Sequence, residues 1–257
     1  MKRVYVVGVG EVGRRLAGAL ERDGWQVARV TRRRGWPAAA DHRDPSPRIV
    51  AVREEALAGV LARLPADLRV RVVLVQNGFL EAVHDDLGET TRGLIWFTSK
   101  GAFFRSLRPS VFRGAWAEPL VAALDRGGID VVRIDDRDRF AREMILKGIW
   151  NCVVGLPLVA HDVDLATYLR EWHDELVDLV AECATAAAAH YGVSVDPRAA
   201  LDRIEETTTE LGWMRGGAKA LAWRNGAIVT FGRRHGIPTP VNDRLLRAAT
   251  GTTPGGG

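Results

Sequence analysis

The first half of the chain alternates short apolar runs, mostly β-branched, with stretches that carry apolar residues at helical spacing. The runs predict buried strands at Val4–Val7, Val27–Val30, Ile49–Val52, Val70–Val75, Leu94–Thr98 and Ile129–Ile134. The stretches between them predict helices at Glu11–Arg22, Glu54–Leu64, Phe79–Leu87 and Trp116–Arg126. Strands that are apolar on both faces are typical of a parallel sheet covered by helices. The pattern therefore predicts an α/β domain with a doubly wound sheet.

The pattern changes after the charged stretch 135–139. Beyond it strand-like runs nearly vanish, and Ala/Leu-rich segments predict helices at about 140–156, 163–191, from 196 onward and 218–235. Asp196 is the expected N-cap of the third of these helices, with Pro197 as its first residue. We therefore predict an α/β domain over 1–137, an all-helical domain over 138–250, and a disordered tail over 251–257.

Composition excludes several classes of protein. The 257 residues are 47% hydrophobic and 26% charged, as in an ordinary globular protein. The 36 basic residues are spread along the chain against 32 acidic ones, which argues against a nucleic-acid partner. No uninterrupted apolar run reaches the ~18 residues that span a bilayer, and two cysteines make no disulfide framework. We expect a cytoplasmic protein without a membrane segment or a metal site.

A glycine motif follows the first predicted strand and opens the first predicted helix. It reads Gly8-x-Gly10-Glu11-Val12-Gly13, which in this context is typical of a dinucleotide-binding loop in a Rossmann-type domain. Gly8 allows the tight turn, Gly10 lets a pyrophosphate approach the backbone, and Gly13 lets helix and strand pack closely. Glu11 and Val12 belong to the helix N-terminus that faces the phosphates. The alternative is a Rossmann domain that binds no nucleotide.

The end of the second predicted strand bears on the choice of cofactor. An acidic residue there holds the ribose 2′-hydroxyl of NAD, whereas arginine accommodates the 2′-phosphate of NADP. This chain has Arg32 and Arg33 and no acid at that place, which favours NADP(H). A solvated basic turn is the alternative.

Two further candidates follow the third and fourth predicted strands. Asn77, in Gln76-Asn77-Gly78, can donate to a cofactor or substrate oxygen, although Asn-Gly is also a favoured turn pair. Arg53 follows the third strand at the same edge of the sheet, and is alternatively a surface residue at a helix start.

Lys147 and Asn151 are four residues apart, so they share one face of the first helix of the second domain. Their neighbours are apolar. Desolvation lowers the pKa of a lysine in such surroundings and suits it to acid-base work. The alternative is a lysine at a helix edge that extends its ammonium into water.

At this point the chain resembles the ketopantoate reductase family. The resemblance rests on the glycine loop at 8–13, the turn at 76–78, the pattern Lys147-x-x-x-Asn151, and the segments 225–229 and 235–242. It implies an NADP-binding Rossmann domain over 1–137, followed by an all-helical domain over 138–250 for substrate binding and dimerisation. It also implies reduction of a 2-oxo acid with NADPH, and roles for four residues.

In the roles that the resemblance implies, Lys147 is the general acid on the carbonyl oxygen and Asn151 helps to hold the substrate. Asn77 lies near the nicotinamide end of the cofactor. The position of Arg53 typically carries a lysine near the substrate in that family.

The chain departs from the family pattern mainly in the second half. Where the family has a Thr-Glu pair whose glutamate binds a substrate hydroxyl, this chain has Lys219 and Ala220. Gly155 replaces an asparagine, and Thr208 could keep a hydroxyl near a family serine. The connection 34–48 is shorter than is usual in the family. Lys219 could attract an anionic group of a different substrate, or be a surface lysine.

We therefore expect an NADPH-dependent reductase of a small, 2-oxo acid-like carbonyl substrate with an altered substrate pocket. The alternative is a non-catalytic NADP(H)-binding protein whose substrate site has decayed. A small-residue run at 179–189 would suit close helix packing, either within one chain or across a homodimer.

Overall fold

The computed structural model describes residues 2–33, 35, 44–64, 66–84, 87 and 90–250, without the side chains of Ala66, Lys100, Thr208 and Thr250. Three sequence predictions concern parts outside this description: most of the short connection 34–48, the tail 251–257 and the hydroxyl of Thr208.

Seven strands among the described residues form one sheet in the order β2-β1-β3-β4-β5-β8-β9. The first five pair in parallel, β8 is antiparallel to β5, and β9 is parallel to β8. A separate hairpin joins β6 and β7. The bounds are β1 Arg3–Val7, β2 Gln26–Val30, β3 Arg48–Val50, β4 Val72–Leu74, β5 Thr91–Leu94, β6 Phe97–Lys100, β7 Phe103–Ser106, β8 Ser110–Arg113 and β9 Val131–Arg133.

The doubly wound sheet is confirmed. The chain passes from β1 to β2 on one side and then returns to place β3 on the other side of β1. The carboxyl ends of β1 and β3 therefore flank the switch point, where open α/β sheets bind ligands. Three helices accompany the sheet: α1 Glu11–Arg22, α2 Glu54–Leu61 and α3 Ala117–Arg126. Leu16 and Leu20 of α1 are fully buried in a core that includes Val4, Ile49 and Leu124.

Three predictions in this half were wrong in detail. The predicted strand Val70–Val75 is shorter than expected, because Val70 and Arg71 belong to the 3-10 helix Ala66–Arg71. The predicted strand Leu94–Thr98 is interrupted, because the N–H of Trp96 donates to Ser110 Oγ, at 3.0 Å, where β5 ends and β6 has not begun. The predicted helix Phe79–Leu87 shrinks to a short 3-10 helix, Leu80–Ala82, since the N–H of Phe79 donates to the carbonyl of Trp223 at 2.8 Å. The antiparallel strands β7 and β8 were not predicted, because four-residue strands carry little periodicity.

The second half is helical, as predicted. Asp196 caps its helix by accepting from the N–H of Arg198, at 2.9 Å. The predicted helix 163–191 is two helices with Trp172 between them, and the predicted helix 218–235 begins only at Asn225. The bounds are α4 Arg137–Val153, α5 Leu156–Ala160, α6 Leu165–Glu171, α7 His173–Tyr191, α8 Pro197–Leu211, α9 Asn225–His235 and α10 Pro240–Thr250, the last of which was not predicted.

The small-residue run in α7 is buried within the chain. Cys183, Ala184, Ala186 and Ala187 are at most 1% exposed, in a unit where α7 packs against α9 and α10. This run therefore packs inside the fold, and a homodimer stays a prediction without its support.

The chain divides into two compact units. One comprises Met1–Gln76 and Asp86–Phe140, and the other comprises Asn77–Asp85 and Ala141–Gly257. The segment 77–85 thus belongs with the helices, which the sequence pattern did not indicate. The separate roles of the two domains stay predictions.

In the part of the chain that the structure describes, one helical stretch, Arg137–Ala160, is apolar and long enough to cross a membrane by length and composition. Of its most apolar 18-residue window, 78% is buried inside the protein, as in the core helix of a soluble protein. The described residues include no group of three or more His, Cys, Asp or Glu side chains that could hold a metal ion.

Candidate functional site

The three glycines of the loop after β1 differ in what a side chain at each position would contact. Gly8 has φ +90°, and a Cβ there would lie 2.6 Å from the carbonyl oxygen of Ala51, just beyond β3. A Cβ at Gly13 would overlap the carbonyl oxygen of Gly8. Gly10 has no neighbour within 4 Å of a Cβ position and an ordinary φ of −66°. Packing within the protein therefore requires Gly8 and Gly13 but not Gly10.

The residues of this loop fit a dinucleotide. Gly10 is the N-cap of α1 and contributes no side-chain cap to the amides of the first turn. A twelve-residue helix carries a partial positive charge at this end, and its first amides suit an anionic oxygen. The open space at Gly10 is where a pyrophosphate would approach the backbone. Nucleotide binding by this loop stays a prediction.

The side chain of Glu11 has a structural partner. Its carboxylate pairs with Arg14 and accepts a hydrogen bond from Ser99 Oγ at 3.3 Å. Arg15 Nε donates to the same hydroxyl at 2.9 Å, so the start of α1 is fastened to the hairpin β6–β7. Val12 packs partly buried against the sheet core. Any cofactor contact of Glu11 and Val12 thus falls to their backbone amides.

Arg32 and Arg33 lie beside the glycine loop. Val30, the last residue of β2, is opposite Val7 in the sheet and accepts from the N–H of Gly8 at 3.0 Å. The two arginines come directly after Thr31, in an exposed turn that is closed by a hydrogen bond from the N–H of Gly35 to the carbonyl of Thr31. Both arginines therefore lie at the same edge of the sheet as the loop, and their side chains are exposed.

Gln76 is a residue whose position the sequence did not interpret. Its side chain is 4% exposed, and Nε2 donates to the carbonyls of Val50 and Val52 at 2.9 and 3.0 Å. Gln76 thus links the carboxyl ends of β3 and β4. Its Oε1 is buried and accepts no hydrogen bond from the described residues. Arg53, also predicted here, is exposed and is the N-cap of α2.

Lys147 is buried in the helical unit. Only 3% of it is exposed, and Nζ lies 4.1 Å from the centroid of the Trp150 ring. Burial lowers the pKa of Lys147 well below its ordinary value, and the positive charge of Arg224 lowers it further. Trp150 is fixed in turn, because its Nε1 donates to Thr207 Oγ1 at 2.8 Å. The lysine does not extend into water.

Asn77 and Asn151 are brought together in the same unit. Asn151 is 4% exposed and its Nδ2 donates to the backbone carbonyl of Asn77 at 2.9 Å. Gly148, next to Lys147, packs so closely on the Phe79 ring that a Cβ would overlap it. The turn after β4 is thereby held against α4, one helical turn from Lys147.

Arg224 is the second residue that the sequence analysis missed. It is the N-cap of α9, and its Nη1 lies 3.5 Å from the Cβ position of Gly155. Its Nε is buried, and no described residue accepts a hydrogen bond from it. In a chain with 32 arginines no sequence signal distinguishes this one.

The remaining predicted substrate residues lie in less informative surroundings. Lys219 is exposed in a loop, whereas Ala220 is buried with φ +50°, so neither belongs to a helix. The side chain of Thr208 lies outside the described residues, although its neighbour Thr207 is the acceptor for Trp150. Substrate contacts of Lys219 and Thr208 stay predictions.

No family model and no curated protein matches the sequence. Solved structures do match it. A complex of D-mandelate dehydrogenase with NADH is 17% identical, with a TM-score of 0.76 over 97% of this chain and 98% of that one. A ketopantoate reductase from Ralstonia eutropha JMP134 is 18% identical, with a TM-score of 0.75 over 96% of each chain. A 2-dehydropantoate 2-reductase from Geobacter metallireducens GS-15 is 16% identical, with a TM-score of 0.76 over 98% of this chain and all of that one. The chain therefore has the fold shared by the ketopantoate reductases and D-mandelate dehydrogenase.

Proposed function

We propose that the protein is an NADPH-dependent reductase of small 2-oxo acid-like compounds. The observation that carries this proposal is the buried Lys147, with the carboxamide of Asn151 one helical turn away. The fold supports it, since structures with this fold include ketopantoate reductases and a D-mandelate dehydrogenase with bound NADH. A further structure of D-mandelate dehydrogenase contains NADH together with anilino(oxo)acetate, a compound with a carboxylate next to an amide carbonyl.

In the proposed mechanism the glycine loop at 8–13 would hold NADPH, and the chemistry that NADPH would supply when bound is a hydride for the carbonyl carbon of the substrate. Lys147, as an ammonium, donates a hydrogen bond to the carbonyl oxygen and transfers a proton to it as the C–O double bond becomes single. The product is a hydroxyl group, and the neutral amine regains its proton from water. Because burial lowers the pKa of Lys147, its ammonium releases this proton more readily than a solvated lysine would.

Asn151 and Asn77 position the reacting groups. The Nδ2 of Asn151 donates to the backbone carbonyl of Asn77, which ties the turn at Asn77 to α4. In the proposed enzyme Asn151 helps to hold the substrate beside Lys147, and Asn77 is the residue that would contact the nicotinamide end of the cofactor.

Selectivity for NADPH is assigned to Arg32, with Arg33 beside it. Changing Arg32 to Ala is expected to weaken NADPH binding about 10-fold or more and to leave NADH binding nearly unchanged, since only NADPH carries the 2′-phosphate. The loss of a charge-assisted hydrogen bond to phosphate lowers affinity by about this factor. Quenching of tryptophan fluorescence in titrations with each nucleotide measures both affinities.

Arg63→Ala, which removes another exposed arginine, is the matched control and should bind both nucleotides as the wild type does. Equal losses for NADPH and NADH in Arg32→Ala would contradict the assignment. Wild-type protein that binds neither nucleotide would contradict the proposed function as a whole.

A further inference from the structure

Arg224 carries an unmet hydrogen-bonding requirement. Its Nε is buried without an acceptor among the described residues, and a buried donor left unpaired costs about 1–3 kcal/mol. The guanidinium lies beside Gly155, whose missing side chain leaves room for it, since Nη1 is 3.5 Å from the Cβ position. Arginine presents a planar fork of donors that matches a carboxylate.

Among the residues that the structure describes, no carboxylate forms an ion pair with this arginine. Lys147, which is buried, is a second cation of this region, and the charge of Arg224, which is half-buried, lowers its pKa. Glu143 is four residues before Lys147 on α4, but both its oxygens accept from Arg203, at 2.7 and 3.3 Å. Two positive groups thus lie near each other, and the nearby carboxylate on α4 is already bound elsewhere.

The neighbouring substitutions agree with a changed ligand. At 220, where the resembled family has a glutamate that binds a substrate hydroxyl, this chain has a buried alanine. At 155, where that family has an asparagine, it has the glycine that borders Arg224. An acceptor for a hydroxyl is therefore absent from 220, while a cation borders 155.

We propose that Arg224 binds the carboxylate of the substrate and makes the enzyme selective for 2-oxo acids over uncharged carbonyl compounds. This inference rests on the proposed function, and names the substrate class of the same site. The carboxylate accepts from Nε and one terminal nitrogen of Arg224, which leaves the adjacent carbonyl oxygen for Lys147. Arg224 is therefore a specificity-determining residue.

The test compares binding of oxamate, which has a carboxylate, with binding of oxamide, which is of similar size but uncharged. Calorimetry in the presence of saturating NADPH measures both. Arg224→Met is expected to weaken oxamate binding at least 30-fold and to leave oxamide binding unchanged. Arg224→Lys keeps the charge without the fork and is expected to fall between. Arg198→Met, at an exposed arginine of α8, should bind oxamate as the wild type does.

Two results would overturn the inference. One is oxamate binding that is unchanged in both Arg224 variants while NADPH affinity and circular dichroism show them folded. The other is loss of oxamate binding in Lys219→Met in their place, which would assign the anion to Lys219.

Turnover separates this inference from the proposed function. A KM for 2-oxo acids that rises in Arg224→Met, with kcat retained within a few fold, supports the inference. Turnover of 2-oxo acids with an unchanged KM contradicts it and leaves the reductase proposal standing. Oxamate binding through Arg224 in a wild-type protein that reduces no carbonyl compound contradicts the reductase proposal and leaves the carboxylate site standing.

Discussion

Replacing Lys147 by methionine is expected to lower kcat for the preferred 2-oxo acid by about 10²–10⁴-fold, the usual contribution of a general acid. Methionine keeps the length and apolar packing of the side chain but has no proton to give. The contact with the Trp150 ring, at 4.1 Å from Nζ, is lost with the charge. Because no part of the glycine loop changes, the affinity for NADPH should stay at its wild-type value.

Steady-state oxidation of NADPH, followed by absorbance, measures this loss, and fluorescence quenching measures the cofactor affinity of the same variant. Lys2→Met changes an exposed lysine and should retain full activity. If Lys147→Met turned over like the wild type, Lys147 would not be the general acid. A wild-type protein that binds NADPH but reduces no 2-oxo acid, aldehyde or imine would favour the non-catalytic alternative.

The same substitution is expected to stabilise the fold at neutral pH. Folding lowers the pKa of Lys147 below its ordinary value of 10.5. At a pH between the folded-state pKa and 10.5, Lys147 is therefore protonated in the unfolded chain and neutral in the folded protein. The free energy of unfolding therefore rises with pH across this range, and Lys147 destabilises the fold most at pH values below the range. Lys147→Met should raise Tm at pH 7, and its advantage should shrink as the pH approaches 10.5. Thermal unfolding at pH 7 and pH 10 measures the difference, and a Tm at pH 7 below that of the wild type would contradict this account.

Local pattern was sufficient for much of the fold. The helix Glu11–Arg22 was predicted with its observed bounds, because a glycine turn precedes it and apolar residues recur along it. The segment 79–87 was not, since its conformation depends on residues far away in the chain: Phe79 is held by the backbone of Trp223 and packs on Gly148. A tertiary contact of this kind leaves no periodicity in the sequence.

The candidate site likewise contains residues that could be predicted from the sequence and residues that could not. Spacing placed Lys147 and Asn151 on one helical face, their roles were implied by the resemblance to the ketopantoate reductase family, and the structure finds both side chains buried. Gln76 and Arg224 could not be recognised, because what distinguishes each is a buried polar atom without a hydrogen-bond partner among the described residues. Whether an atom lacks a partner depends on every residue that surrounds it in space. Nothing in the identity of one glutamine or one arginine indicates which atoms will lack a partner.

The glycine loop offers a pair of substitutions whose effects should separate. Gly10→Ala is expected to raise the Kd for NADPH by about 10- to 100-fold, or about 1.4–2.8 kcal/mol, while Tm stays unchanged. Gly10 has φ −66° and ψ −170°, which alanine adopts without strain, and its Cβ would touch nothing in the protein. The methyl group can therefore oppose only a ligand that approaches this backbone, as a pyrophosphate would.

Gly13→Ala is the matched substitution, and it is expected to destabilise the folded protein. Its methyl group would overlap the carbonyl oxygen of Gly8, so helix α1 and strand β1 must separate, at a cost of about 1–3 kcal/mol. Urea unfolding of both variants, together with NADPH titration, measures the two effects. A Gly10→Ala protein that binds NADPH like the wild type would remove the dinucleotide loop from the proposal. Equal destabilisation of the two variants would mean that Gly10, like Gly13, is required by packing within the fold.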